Sequence, residues 1–331
     1  MPSHPIIVSE DDIQPLLRDP AAMDAAMEAV ERATVAEYHG RVRSLNVVDR
    51  TQTEPSNFLQ IHFATDDALV TGFQVFGNTP GSPRPNTRFV VLLDSETREL
   101  LAIVPYEGLS PMRVGASAGV GARYLAPEGA RSAAIIGSSK QARRQLHAIV
   151  RAVPAIDQVR VYSPTPEHRE AFALEMSDFL GVDVRAVESA EAAVRDADIV
   201  DSATNTRTPV LDWSWIKPGA LVMAIGGGQL PDDVFSQRLV LPTWDSTADE
   251  STGREPYGSA IRAGTLKKED ILAELGPVIL GEVTPREDPS QTVVFDVGRI
   301  NNWAVAVTHW AYDWARQREL GTPVSLSSID A

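Results

Sequence analysis

The spacing of apolar and polar positions divides the chain into two textures. From Ser132 onward, short apolar runs alternate with amphipathic stretches. Residues 132–137 (SAAIIG), 158–163 (QVRVYS), 183–188 (DVRAVE), 198–204 (DIVDSAT), 220–226 (ALVMAIG) and 239–246 (LVLPTWDS) have the length and composition of strands. Residues 141–153, 167–180 and 191–197 have helical spacing and supply the crossovers. Near-continuous apolar strands joined by helices predict an α/β fold with a Rossmann-type, doubly wound parallel sheet, since such strands are buried on both faces. The right-handed crossover rule then leaves few topologies.

The first part of the chain mixes element types. Residues 21–38 place Ala, Met and Val at helical spacing and predict an amphipathic helix. Segments 58–64 (FLQIHFA), 69–76 (LVTGFQVF) and 89–94 (FVVLLD) predict strands, the first two joined by a hairpin turn over 65–68. Alternation along 58–64 puts Leu59, Ile61 and Phe63 on one face and Gln60 and His62 on the other. The stretch 77–87 has three prolines and two glycines and predicts an irregular loop. A long helix over 302–320, with three tryptophans, is expected to return to the first domain. The expected organisation is therefore a discontinuous α+β substrate and dimerisation domain (1–125 and 300–331) around a dinucleotide domain (126–299).

Length and composition agree with two globular domains: 331 residues, 43% apolar and 23% charged. Thirty Lys plus Arg against 45 Asp plus Glu give a net charge of -15, a field that disfavours nucleic acid and anionic membranes as partners. The chain has no cysteine, which excludes disulfides, thiolate metal sites and Cys nucleophiles. Its histidines have no ligand spacing, so no metal is expected. No apolar run has the length of a membrane span or signal peptide, and a cytoplasmic location follows by default.

The turn after the first parallel strand is Gly137-Ser138-Ser139-Lys140-Gln141-Ala142. Measured against G-x-G-x-x-G/A, Gly137 and Ala142 fill the outer positions, and Ser139 stands where glycine lets backbone approach a pyrophosphate. Ser138, Ser139, Lys140 and Gln141 are thus candidates for binding a dinucleotide at a helix N-terminus. Further candidates lie after later strands: Thr204 and Asn205, then Gly226 and Gly228. The second strand runs into Ser163-Pro164-Thr165-Pro166-Glu167-His168-Arg169. NAD binders usually place an acid at such a strand tip, to accept from the ribose 2′-hydroxyl. Its loss removes a repulsion, while Ser163, Thr165 and Arg169 could donate to a 2′-phosphate, so NADP(H) is expected over NAD(H). The competing reading of Thr165-Pro166 is ordinary helix-start chemistry.

Several segments recur in a fixed order: 112–118 (MRVGASA), Ile135-Ile136-Gly137 through Arg143, Ala197-Asp198-Ile199-Val200 with Ala203-Thr204, 216–220 (IKPGA) to Gly226, and Gly298. The ordered set, spread over roughly residues 10–320, resembles the ornithine cyclodeaminase / μ-crystallin family of NAD(P)-dependent enzymes. The resemblance implies a homodimer, a dimer sheet in the discontinuous domain and a substrate site in the cleft between domains. It implies that Arg113 holds a substrate carboxylate near the nicotinamide. Other family positions diverge. The lysine of a G-x-K strand is Gln74 in Gly72-Phe73-Gln74, and a first-domain arginine has no clear counterpart near 44–47, with Arg43 and Arg50 as alternatives. The aspartate that cyclodeaminases use after the fifth strand is replaced within Gly226-Gly227-Gly228-Gln229, at Gly228.

These departures shape the expected chemistry. Gln74 offers a carboxylate only neutral hydrogen bonds, roughly half as strong as those of lysine. Loss of the aspartate removes the proton-transfer group of deamination and ring closure. The expected activity is NAD(P)H-dependent reduction of a C=N or C=O bond on a small molecule, with Arg113 orienting the substrate and His62 or a water supplying the proton. Two other readings stay open: a cyclodeaminase-type ammonia lyase using bound NAD, and a non-catalytic NADP-binding protein of the μ-crystallin type. His62 as a hydrogen-bonded strand residue and Arg113 as a salt-bridge partner are the structural alternatives for those two side chains. If Gln74 occupies the clamp position, Gln74→Lys should lower KM for a carboxylate substrate about fivefold, the gain of one charge-assisted bond over a neutral one. An unchanged KM would put Gln74 outside the site.

Overall fold

The structure is a computed structural model. It describes residues 4–42, 44–50, 58–65, 70–78, 88–206, 208–226, 229–249, 255–298 and 300–325, of which 45–50, 58–60, 62, 63, 78 and 232 are described as backbone. The chain divides into two units, Met1–Arg113 with Ile300–Ala331, and Val114–Arg299. The first division falls inside a continuous helix, not after it at 125, so chain texture carries no mark there.

The first unit contains β1 (Ile6–Ile7), α1 (Glu10–Arg18), α2 (Ala22–Tyr38), β2 (Ser44–Arg50), β3 (Phe58–Thr65), β4 (Val70–Asn78), β5 (Arg88–Asp94) and β6 (Leu100–Pro105). It also holds the start of α3 (Leu109–Leu125) and, after the second unit, α10 (Asn301–Arg316) and β15 (Thr322–Pro323). Among the described residues the strands form one sheet in the order β15-β1-β6-β5-β4-β3-β2, antiparallel except for β1 beside β6. Register puts Ala64, Gly72, Gln74, Leu92, Val90, Ala102 and Val104 on one face, all buried. That face receives α10. A Cβ on Gly72 would stand 3.0 Å from Val305, so glycine there lets the helix close on the sheet. On its other side α10 meets α2, where Trp303, fully buried, donates Nε1 to Thr34 Oγ1 (2.8 Å) and Asn302 donates to the Ala33 carbonyl (3.0 Å). The opposite sheet face carries Phe73, Val75, Phe89 and Ile103, all half-buried.

The strands expected over 58–64, 69–76 and 89–94 and the helices over 21–38 and 302–320 are present within a few residues, α10 ending at Arg316. The turn over 65–68 and the loop over 77–87 lie largely outside the described residues. Strands β2 and β6 and helices α1 and α3 have no counterpart in the sequence reading.

The second unit continues with β7 (Ser132–Ile136), α4 (Lys140–Ala152), β8 (Gln158–Tyr162), α5 (Pro166–Leu180), β9 (Asp183–Ala186), α6 (Ala190–Val194), β10 (Ile199–Ser202) and β11 (Leu221–Ala224). Then come β12 (Arg238–Leu241), α7 (Trp244–Ala248), α8 (Tyr257–Arg262), β13 (Ala273–Glu274), α9 (Leu275–Ile279) and β14 (Val293–Asp296). The sheet is parallel throughout, in the order β13-β12-β14-β11-β10-β7-β8-β9. This is the doubly wound Rossmann-type arrangement, with the strand order reversing between β7 and β10. One correction concerns 239–246, expected as a single strand. Pro242 stops β12, and Thr243 caps α7 by accepting from Ser246 N (3.2 Å). A second concerns 191–197, where α6 ends at Val194 and Asp196 takes a left-handed φ of 64°.

Asp201 on β10 is fully buried, and the Gln145 amide of α4 stands 3.1 and 3.2 Å from its two oxygens. Burial pushes its carboxyl up to about 8 from an ordinary 3.8. A folded-state value above the unfolded one means that the stabilisation belongs to the protonated form. It is complete below the unfolded value and is lost as pH rises from about 4 to about 8, by at most about 1.4 kcal/mol per pH unit. Asp201→Asn should therefore gain thermal stability over wild type progressively between pH 4 and 8 and hold a constant difference above. Parallel melting curves across that range would show that Asp201 does not titrate.

Candidate functional site

In-register parallel pairing aligns the C-terminal strand ends in the second unit. Tyr162 pairs with Ile136, Ile136 with Ser202, Ser202 with Ala224, and Ala224 with Asp296. The loops that follow leave one sheet edge, two of them on either side of the β7/β10 reversal. There α/β sheets open the crevice that takes ligands. Gly137 leaves β7 with φ 120°, and a Cβ on it would stand 2.7 Å from the Ala203 carbonyl oxygen. Glycine is required twice there, by the dihedral and by the approach of two backbones.

Ser139 is the N-cap of α4. Its Oγ accepts from Ala142 N (3.3 Å) and donates to the Ala203 carbonyl (3.4 Å). The hydroxyl expected to reach a phosphate is therefore engaged in the turn. Ser138 donates to Ser163 Oγ (3.1 Å), tying the β7 and β8 loops together. Arg143 straps the turn from below, donating to the Ser138 carbonyl (2.5 Å) and the Ser139 carbonyl (3.3 Å) and pairing with Glu175 (2.7 Å). The sequence reading assigned no role to Arg143, although its place four residues after the N-cap was available as a signal. The first-turn N–H groups of Lys140 and Gln141 have no intrahelical acceptor and point along the positive end of the helix. Gln141 Oε1 is buried and has no hydrogen-bond partner among the described residues. A tight turn at Gly137 followed by a helix whose Lys140 and Gln141 amides have no intrahelical acceptor fits the pyrophosphate of a dinucleotide.

At the β8 edge, Ser163 is buried and bonded to Ser138, and Thr165 is exposed, its side chain making no cap bond to α5. Arg169 is buried and already engaged. Nη1 donates to the Ser163 carbonyl (3.1 Å), and Nη2 pairs with Glu188 (2.7 Å), whose own side chain is 90% exposed. After β10, the Thr204 hydroxyl accepts from Thr206 N (3.0 Å), and Asn205 is exposed. Gly226 begins the turn after β11, accepting from Gln229 N (3.3 Å); Gly228 lies outside the described residues. Gln229, also missed in the sequence, joins two loops: it accepts from Ser202 Oγ (2.8 Å) and donates Nε2 to the Thr204 carbonyl.

In the first unit, Arg113 lies in α3 and is 5% exposed. Its Nε donates to the Tyr106 hydroxyl (3.1 Å), and no carboxylate pairs with it among the described residues. Gln74, 8% exposed on β4, stands directly opposite His62 of β3 in the antiparallel register. The His62 side chain, Arg43 and the Arg50 side chain lie outside what the structure describes.

The family model described as Ornithine cyclodeaminase/mu-crystallin family matches residues 16–319. The chain belongs to this family. It is 30% identical over 242 residues to the Δ1-pyrroline-2-carboxylate reductase of Bacillus cereus, covering 71% of this chain and 73% of the relative. It is 28% identical over 257 residues to the ketimine reductase mu-crystallin of Macropus fuliginosus, covering 75% and 77%. Among solved structures, the Thermococcus litoralis Δ1-pyrroline-2-carboxylate reductase in complex with NADH and L-proline superposes with a TM-score of 0.84. That match has 27% identity and covers 96% of this chain and 100% of the other.

In this member of the family Gly137 is constrained both by its positive φ and by the approach of the Ala203 backbone. Gly137→Ala should weaken dinucleotide binding at least tenfold, since an L-residue at that φ costs about 1–3 kcal/mol before the 2.7 Å clash is relieved. Fluorescence titration with NADPH and NADH would measure it. Unchanged affinity would mean that the turn does not carry the cofactor.

Proposed function

We propose that this protein reduces the C=N bond of a small α-imino acid or cyclic ketimine that bears a carboxylate. It is an NAD(P)H-dependent oxidoreductase of the ornithine cyclodeaminase / μ-crystallin family, in keeping with the imine-reducing relatives. The carrying observation is Arg113, a buried guanidinium with a neutral hydroxyl as its neighbour and no acid against it among the described residues. A buried cation is normally paired, and one that is not has a strong preference for an incoming anion. The nicotinamide supplies the hydride to the imine carbon when bound. The chain's own part is to hold the carboxylate at Arg113 and to deliver a proton to the nitrogen, from His62 or a water. Gln74, across from His62, offers the substrate neutral hydrogen bonds.

The cofactor assigned is NADP(H) in preference to NAD(H). No acid stands at the β8 tip, Thr165 is exposed, and Arg169 has its Nη2 edge held by a carboxylate that is almost wholly in solvent. A 2′-phosphate would take the place of Glu188 on that edge. Ser138, Ser139, Lys140, Gln141, Thr204, Asn205, Gly226 and Gly228 complete the assigned cofactor set. The half-buried apolar face of the first sheet supports the assignment of a homodimer, and the lack of cysteine fits a cytoplasmic location.

Initial rates would test the reading, with NADPH and NADH, on Δ1-pyrroline-2-carboxylate and on 1-pyrroline. The carboxylated imine should be preferred in kcat/KM by roughly ten- to a hundredfold, the worth of one charge-assisted bond, and Arg113→Ala should abolish the preference. Glu188→Gln should tighten NADPH binding about fivefold with little effect on NADH. Equal rates on the two imines would refute the carboxylate assignment, and tighter binding of NADH than NADPH the cofactor preference.

A further inference from the structure

Arg113 is buried with no acid against it among the described residues, so another group must hold its guanidinium in one orientation. Glu107, the acid that follows Tyr106 in the chain, pairs with Arg88 (3.8 Å). The partner of Arg113 is Tyr106, fully buried and seven residues before it. Its backbone is fixed at both ends: Tyr106 N donates to the Arg88 carbonyl (3.0 Å), and its carbonyl accepts from Ser110 N (2.9 Å) in the first turn of α3. With the main chain held and the ring enclosed, the phenol oxygen has one place to be, against Nε of Arg113 (3.1 Å).

Resting on the carboxylate reading above, we infer that Tyr106 is a positioning residue that sets substrate specificity through Arg113. A guanidinium has one N–H on Nε and four on the two Nη atoms. With Nε engaged, the Nη1/Nη2 edge is left to meet a carboxylate with two parallel bonds, the geometry in which arginine is strongest. The acceptor's neutrality matters as much as its place. An aspartate or glutamate at the same point would accept from Nε equally well, but it would cancel the charge that selects an anion. Tyrosine satisfies the donor and leaves the charge. Desolvation pushes the Tyr106 phenol above its ordinary value, so it stays neutral at physiological pH. Tyr106 itself has no exposed surface and acts on the substrate only through Arg113.

The test uses the full chain with saturating NADPH and the two imines, Δ1-pyrroline-2-carboxylate and 1-pyrroline. Tyr106→Phe keeps the ring and removes the acceptor. KM for the carboxylated imine should rise about five- to twentyfold with kcat within twofold of wild type, while KM for 1-pyrroline stays unchanged. Tyr106→Gln, which restores a neutral acceptor, should recover part of the loss, and Tyr106→Glu should raise KM for the carboxylated imine further than Phe does. An unchanged KM in Tyr106→Phe, with Arg113→Ala still losing carboxylate preference, would overturn the role of Tyr106 and leave the function intact. A rise in KM for both imines alike would mark Tyr106 as merely structural. Loss of no preference in Arg113→Ala would overturn both.

Discussion

The loop geometry at the β7/β10 reversal depends on one contact that only glycine permits, the approach of Gly137 to the Ala203 carbonyl. Two neighbouring parallel strands, β7 and β10, end in the same row, and their chains then turn to opposite sides of the sheet. If the first turn carried a side chain, the strands would have to part at their ends. The N-terminus of α4 would then no longer point along the gap between them. Arg143 and Ser139 spend their hydrogen bonds on the same turn: Arg143 takes the Ser138 carbonyl and Ser139 the Ala142 amide, which leaves the Lys140 and Gln141 amides without an intrahelical acceptor. The serine at the second glycine position thus acts on the backbone: it caps the helix and ties the turn to the Ala203 carbonyl.

Electrostatics in this acidic chain are decided by which cations are left uncompensated. Arg169 has an acid on it, but one that stands in solvent and is cheaply displaced; Arg113 is buried and has a phenol. Local screening differs accordingly, since a pair at the surface is worth little and a bare buried charge a great deal. The overall charge of -15 repels anions at long range, so under the proposed reading a carboxylate would be recognised only where water is excluded and a guanidinium such as Arg113 dominates.

The strands of the Rossmann unit were legible because burial on both faces leaves an unmistakable apolar run, as in 132–137 and 220–226. The glycine turn between β7 and α4 was legible because its glycine and its strand-helix context lie within ten residues. Where burial is not periodic, the sequence was silent. Helix α3 (LSPMRVGASAGVGARYL) is rich in small residues and buried on most of its surface, since Gly115 and Gly121 close against the Arg144 backbone and the Phe295 ring, and such a helix has no continuous polar face to reveal it. Strand β14 enters the sheet between β11 and β12 from far along the chain, an order that no local pattern encodes. In 239–246 the apolar run continued past the strand because Trp244 packs as readily in a helix, and the proline at 242 was the only punctuation.

The site divides in the same way. Local chemistry determined the cofactor class, the family and the candidate Arg113, because each rests on residue types at short spacing or in a fixed order. Which hydroxyls and guanidinia are already spent is a property of the fold. Ser139 lost its hydroxyl to the helix cap, Arg169 gained Glu188 from the loop after β9, and Gln229 joined two loops that are 25 residues apart in the chain. Tyr106 became visible only when α3 brought Arg113 Nε to its hydroxyl. Sequence names the groups that can bond; tertiary structure decides which of them still have a bond to give, because hydrogen-bond capacity is finite and burial forces it to be used.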